Sequence, residues 1–128
     1  MQDKITFNSG KAKEFFLKKI SFTMGPSELS ENIKNNIENI NIIDVRHYDD
    51  YIDGHISYAI HVPLDSLEDH LVMLEKEKLN IVYSYNQYCN LGAKACYMLA
   101  NKGFPVVLLM GGYYIWKKLG NDTVKTSS

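Results

Sequence analysis

Arginine is nearly missing from this 128-residue chain: Arg46 stands alone beside thirteen lysines. Cysteine is scarce too, with only Cys89 and Cys96. On a continuous helix their spacing would separate them by about 10 Å, beyond disulfide reach, so both are expected to be reduced thiols. Excess charge of one sign is lacking; the net charge of -1 leaves no electrostatic footprint for nucleic acid. No apolar run approaches membrane-spanning length, and the first residues lead into no signal-like apolar core, so no membrane insertion is expected and the expected address is the cytoplasm. His47, His55, His61 and His70 match no metal-ligand spacing, and the thiols form no paired motif with them. No metal site and no cofactor are therefore expected. There is no internal repeat. The oligomeric state is not legible.

What is present suits one globular α/β domain: 45% hydrophobic and 23% charged residues. Ala12, Phe15, Phe16 and Ile20 share one helical face among lysines, which predicts a short N-terminal helix that docks on its own domain. Ser21, Phe22 and Thr23 read as a short edge strand, and Pro26 suits the first position of a helix carrying Leu29, Ile33 and Ile37. Residues 40–45 form a strand with Asp44 at its carboxyl end and Arg46 beyond it. Residues 48–53 read as a brief polar helix closed by a left-handed Gly54. A strand over residues 58–62 comes next, stopped by Pro63, and Ser66 with Asp69 opens a helix bearing Leu67, Leu71 and Leu74. Residues 105–109 are a buried strand, Gly111 and Gly112 a turn, and residues 113–119 a last helix with Trp116. Residues 121–128 read as a loose tail. The expected division is a tail and short helix over 1–20, a domain over 21–120 and a tail over 121–128.

The chemistry concentrates in residues 80–101. Ile81, Val82 and Tyr83 make a buried strand ending near Ser84, and Leu91, Ala95, Met98 and Leu99 make one face of a helix that Gly103 ends. Ser84, Tyr85, Asn86, Gln87, Tyr88, Cys89 and Asn90 are then loop. A loop entering a helix N-terminus offers unpaired N–H groups and the positive end of the helix dipole. Cys89 sits there, with a physical reason to be nucleophilic; the competing reading is a small packed residue. Alternating strands and helices predict a largely parallel sheet whose strands end at Asp44, Val62, Ser84 and Leu109, with ligands outside those carboxyl ends.

Asp44-Val45-Arg46, Tyr51, Gly54-His55-Ile56, Ala59-Ile60, Val62-Pro63, Val82-Tyr83, Gly103-Phe104, and Gly111-Gly112 with Trp116 occur in this order. The set, from Phe22 to about Gly120, resembles the rhodanese-like domain. The resemblance implies five mainly parallel strands flanked by helices on both faces, and an active-site loop after the fourth strand in which a cysteine accepts sulfane sulfur as a persulfide. Family members typically place that cysteine directly after the Val-Tyr pair; here Ser84 holds the position. The loop is also about two residues longer than the commonest pattern, which brings Cys89 inside it.

The resemblance leaves two readings open. In one, Cys89 is the sulfur acceptor of a sulfurtransferase or persulfide carrier, Ser84 is a hydrogen-bonding wall, and the partners are a small sulfur-containing anion or a protein thiol acceptor. In the other, the domain is a silent binding or regulatory module, or Ser84 was introduced into an active enzyme. Phosphatase chemistry lacks an arginine near the loop, and Tyr83-Ser84-Tyr85 lacks the glycines of a serine nucleophile elbow. Asp44 and Arg46 read as a supporting ion pair. Tyr85 and Tyr88 either wall a pocket or cover the core.

Overall fold

The computed structural model describes residues 7–126. Helix α1 (Ser9–Phe22) leads into strand β1 (Thr23–Met24), helix α2 (Pro26–Asn36) and strand β2 (Ile40–Asp44). Helix α3 (Tyr48–Asp53), strands β3 (His55–Ile56) and β4 (Ala59–His61), and a 3-10 segment (Leu64–Met73) come next. Strand β5 (Leu79–Tyr83), helix α4 (Leu91–Asn101), strand β6 (Val106–Leu109), helix α5 (Gly112–Lys118) and strand β7 (Thr123–Val124) complete the chain.

Five strands form one parallel sheet in the order β1-β6-β5-β2-β4, as the alternating pattern predicts. The central strands β5 and β2 carry runs of Ile, Val and Tyr because helices cover both faces. On one face Met24, Leu29, Ile42, Ile81, Tyr83 and Trp116 pack together; on the other Ile43, Val82, Leu67, Ala95, Leu99 and Phe104 do. Pro26 opens α2, where its missing N–H costs nothing, and Leu29 is fully buried with Ile33 and Ile37 beside it.

Several local expectations need correction. Ser21 and Phe22 belong to α1; β1 begins at Thr23, where the hydroxyl caps back onto the Lys19 carbonyl at 2.5 Å. Helix α1 does not bury its apolar face: none of its side chains is buried. Gly54 closes α3 but with φ 171°, extended rather than left-handed backbone. Its carbonyl is instead taken by Arg46 at 2.6 Å. The helix expected at Ser66 is a kinked 3-10 segment, with Ser66 itself at φ -122°, ψ 19°. The strand expected over 58–62 is limited to β4, because Tyr58 takes positive φ (72°) and cannot continue it. Residues 123 and 124 of the supposed tail pair antiparallel with β3, held by the Trp116 indole N–H to the Asp122 carbonyl at 2.8 Å. Among the described residues no helix is long and apolar enough to cross a membrane.

Candidate active site

The strands β2 and β5 bring Asp44 and Tyr83 into register at their carboxyl ends, and the segments leaving those two ends build the site. Beyond β5, Ser84 is only 3% exposed and lies beneath the loop. Asn86 shapes that loop: its side-chain Oδ1 accepts from the Tyr88 N–H at 2.9 Å and its carbonyl from the Cys89 N–H at 3.2 Å. Gln87 Oε1 accepts the Gly111 N–H at 2.8 Å. The Ser84 and Tyr85 carbonyls accept from the N–H groups of Tyr113 and Tyr114, each at 2.9 Å. The loop is thus sewn to the start of α5. That close approach requires Gly112, at φ 61°, since a Cβ there would lie 2.7 Å from the Ser84 carbonyl oxygen and 2.8 Å from the Asn86 nitrogen.

Ser84, Asn86, Gln87 and Cys89 line a cavity of about 40 Å³ closed by residues 108–112. Partial burial of the Cys89 sulfur opposes ionisation, but the Ser84 hydroxyl, the Leu91 and Tyr85 N–H groups and the charge of Lys94 outweigh it. The thiol pKa therefore falls below its ordinary value. Cys96 behaves oppositely. Burial inside α4, with nothing to compensate it, pushes that thiol up to about 12. Both cysteines are free.

The remaining candidates divide by position. Tyr85 turns away from the cavity, its hydroxyl donating to Asp50 Oδ2 at 2.5 Å and accepting from the His47 N–H at 3.0 Å. Tyr88 is 94% exposed and neither walls the cavity nor covers the core. Asn90 precedes α4 and caps it through its carbonyl, which accepts from Lys94 at 2.9 Å, not through its side chain. Asp44 and Arg46 are buried in a separate network. Arg46 Nη2 meets Asp44 Oδ2 at 2.8 Å, Tyr83 donates to that same oxygen at 2.6 Å, and the guanidinium lies 4.1 Å from the Tyr113 ring centre. With Asp44 so engaged, and His61 bonded to the Arg46 carbonyl at 2.6 Å and His55 to the Tyr51 carbonyl at 2.7 Å, no Ser84–His–Asp44 relay is assembled. Sequence reasoning missed the wall formed by Leu108, Leu109 and Met110, whose apolar side chains carry no chemical signal, and the role of Lys94.

The sequence model of the rhodanese-like domain matches residues 26–119. The chain belongs to the rhodanese-like family. Among curated relatives, thiosulfate sulfurtransferase GlpE of Coxiella burnetii is 34% identical over 77 residues, covering 59% of this chain and 70% of GlpE. An HTH-type transcriptional regulator of Mycobacterium tuberculosis is 30% identical over 81 residues, covering 63% of this chain and 36% of its own length. The chain thus spans little more than a third of that regulator. The crystal structure of the BH2092 protein from Bacillus halodurans superimposes with a TM-score of 0.86 at 35% identity, covering 93% of this chain and 88% of the other. The rhodanese-like domain thus accounts for the five-stranded parallel sheet and its flanking helices.

Proposed function

We propose that this rhodanese-like domain is a cytoplasmic sulfurtransferase or persulfide carrier with Cys89 as its acceptor. The observation that carries the reading is the placement of Cys89 with Ser84, Asn86 and Gln87 around one small cavity just beyond β5, where the Ser84 hydroxyl and the Leu91 and Tyr85 N–H groups also favour the thiolate. Donors fixed in advance around a developing anion stabilise it without reorganisation. The Cys89 thiolate attacks the outer sulfur of a sulfane donor such as thiosulfate. The donor's S–S bond breaks, sulfite leaves with the electron pair, and Cys89 becomes a persulfide. An acceptor thiolate then attacks the outer persulfide sulfur and releases the Cys89 thiolate. The adjoining cavity, about 40 Å³, is lined by the loop that carries Cys89. Similarity to GlpE supports the donor class.

The test is the intact mass of the protein after incubation with thiosulfate, with and without reductant. A reductant-reversible gain of one sulfur, lost in Cys89→Ser, is the expected result. A second reading rests on Ser84, which occupies the buried position directly after β5 where the family resemblance places a cysteine. Sulfur uptake absent from the parent protein across several donors would favour that reading, a rhodanese-like module that binds without transferring sulfur.

A further inference from the structure

A second cavity, of about 370 Å³, lies where α2, the turn between β3 and β4, and the chain beyond α5 come together. It shares no lining residue with the Cys89 cavity. Ser30, Ile33 and Lys34 enter it from one face of α2, at the i, i+3 and i+4 spacing that makes helical neighbours. Among the described residues the Lys34 ammonium has no ion pair; Glu31, one turn earlier, takes the Asn35 amide at 3.0 Å instead. The Asp122 carboxylate, which also lines the cavity, has no partner there either. Only the Asp122 backbone carbonyl is engaged, by the Trp116 indole N–H at 2.8 Å and the Ser57 N–H at 3.4 Å. One charge of each sign thus borders a single cavity, and the two do not pair with each other. The third wall is Tyr58, the one non-glycine residue with positive φ (72°) among those described. Its ring is 68% exposed, so burial does not offset that strain. Strained backbone of this kind is retained where the side chain serves a site.

We propose that this cavity binds a small zwitterion of the amino-acid class, with its carboxylate on Lys34, its ammonium on Asp122 and its side chain between Ile33 and the Tyr58 ring. A simple anion would satisfy Lys34 but meet the like charge of Asp122, and a simple cation would meet Lys34. A ligand carrying both signs is attracted by both. The volume falls within the range of about 300–1,000 Å³ typical of small-molecule sites. The Ser30 and Ser57 hydroxyls, neither of them engaged within the chain, add hydrogen-bonding capacity for the same polar end of the ligand.

Isothermal titration of the full chain with L-leucine, L-alanine and L-serine tests this, alongside leucinamide, which lacks the carboxylate, and 4-methylpentanoate, which lacks the ammonium. The expected result is that L-leucine binds and both analogues bind at least tenfold more weakly. Lys34→Ala should weaken L-leucine several-fold while leaving leucinamide as it was, and Asp122→Ala should do the same while leaving 4-methylpentanoate as it was. Both side chains are exposed, so neither change should disturb the fold. Tyr58→Gly relieves the positive φ; it should keep or raise the melting temperature yet weaken L-leucine, a combination that a purely structural Tyr58 would not give. No binding of any of the three amino acids in the millimolar range overturns the proposal. Analogues that bind as well as L-leucine, or L-leucine binding indifferent to both charge removals, overturn it too.

Discussion

Tyr83 and Asp44 face each other across neighbouring strands and are joined at 2.6 Å, the phenol donating to a carboxylate that Arg46 also holds. The same phenol oxygen accepts the Ile56 N–H at 3.1 Å. Tyr83→Phe therefore removes a hydrogen bond to a charged group and leaves a buried N–H unpaired, for a loss of about 2–4 kcal/mol. Asp44→Asn strands the buried guanidinium and should cost about 3–5 kcal/mol. Urea unfolding of the two variants checks both the size and the order.

The two thiols should separate cleanly by reactivity. Cys89 ionises below the ordinary thiol range and Cys96 near 12, so alkylation between pH 7 and 9 should fall almost wholly on Cys89. Peptide mapping after brief labelling decides it. Faster reaction at Cys96 would contradict the arrangement of donors around Cys89.

Alkaline stability depends on the same Cys96 shift. The fold keeps this thiol neutral up to about 12, whereas the unfolded chain ionises it from the reference value of 9.0. A raised acid pKa gives stability that is complete below the unfolded value and lost as pH rises to the folded one. Cys96 should thus contribute a decline of about 1.4 kcal/mol per pH unit between those limits. In Cys96→Ala the decline should be shallower by that amount, read from urea titrations at successive pH values; the slope, unlike the absolute stability, is insensitive to the small void the substitution leaves.

Ser84→Cys places a thiol at the end of β5 beside the same loop and is nearly isosteric. Sulfur uptake from thiosulfate should appear or rise. Ser84→Ala removes one of the groups that lower the Cys89 pKa, so the pH midpoint of Cys89 alkylation should move upward. Unchanged uptake in the first variant and an unchanged midpoint in the second would together show that the loop is not an anion cradle.

Gly112→Ala tests the seam between the loop and α5. A side chain at φ 61° costs about 1–2 kcal/mol, and the clash with the Ser84 carbonyl forces the loop outward. Stability should fall, and Cys89 should be labelled more slowly than in the parent protein, though still ahead of Cys96.

The sheet was legible in the sequence because buried parallel strands write themselves as unbroken aliphatic runs, as at Ile42–Ile43 and Ile81–Val82. The ends of the chain were not. Thr123 and Val124 look like an ordinary polar tail, and only the distant Trp116 indole and strand β3 give them partners. Phe22 has strand propensity, yet the helical run before it carries it into α1. At the site, Cys89 and Ser84 could be singled out by chemistry and position. The other wall could not, because Gly111 and Gly112 contribute backbone shape, and a glycine pair reads only as a turn until its neighbours are known.

The sheet order sets a sequence for the chain's assembly. Every neighbouring pair in it is parallel, and β1, two residues long, reaches its partner β6 only across most of the chain, Thr23 against Leu108. Closing so long a loop for so few contacts delays that pairing until β5, β2 and β6 have formed. The β1 edge should therefore join last and open first, its amides exchanging with solvent sooner than those of β5. Opening should thus begin at Thr23 and Met24, while the Cys89 loop keeps its hydrogen bonds to the start of α5.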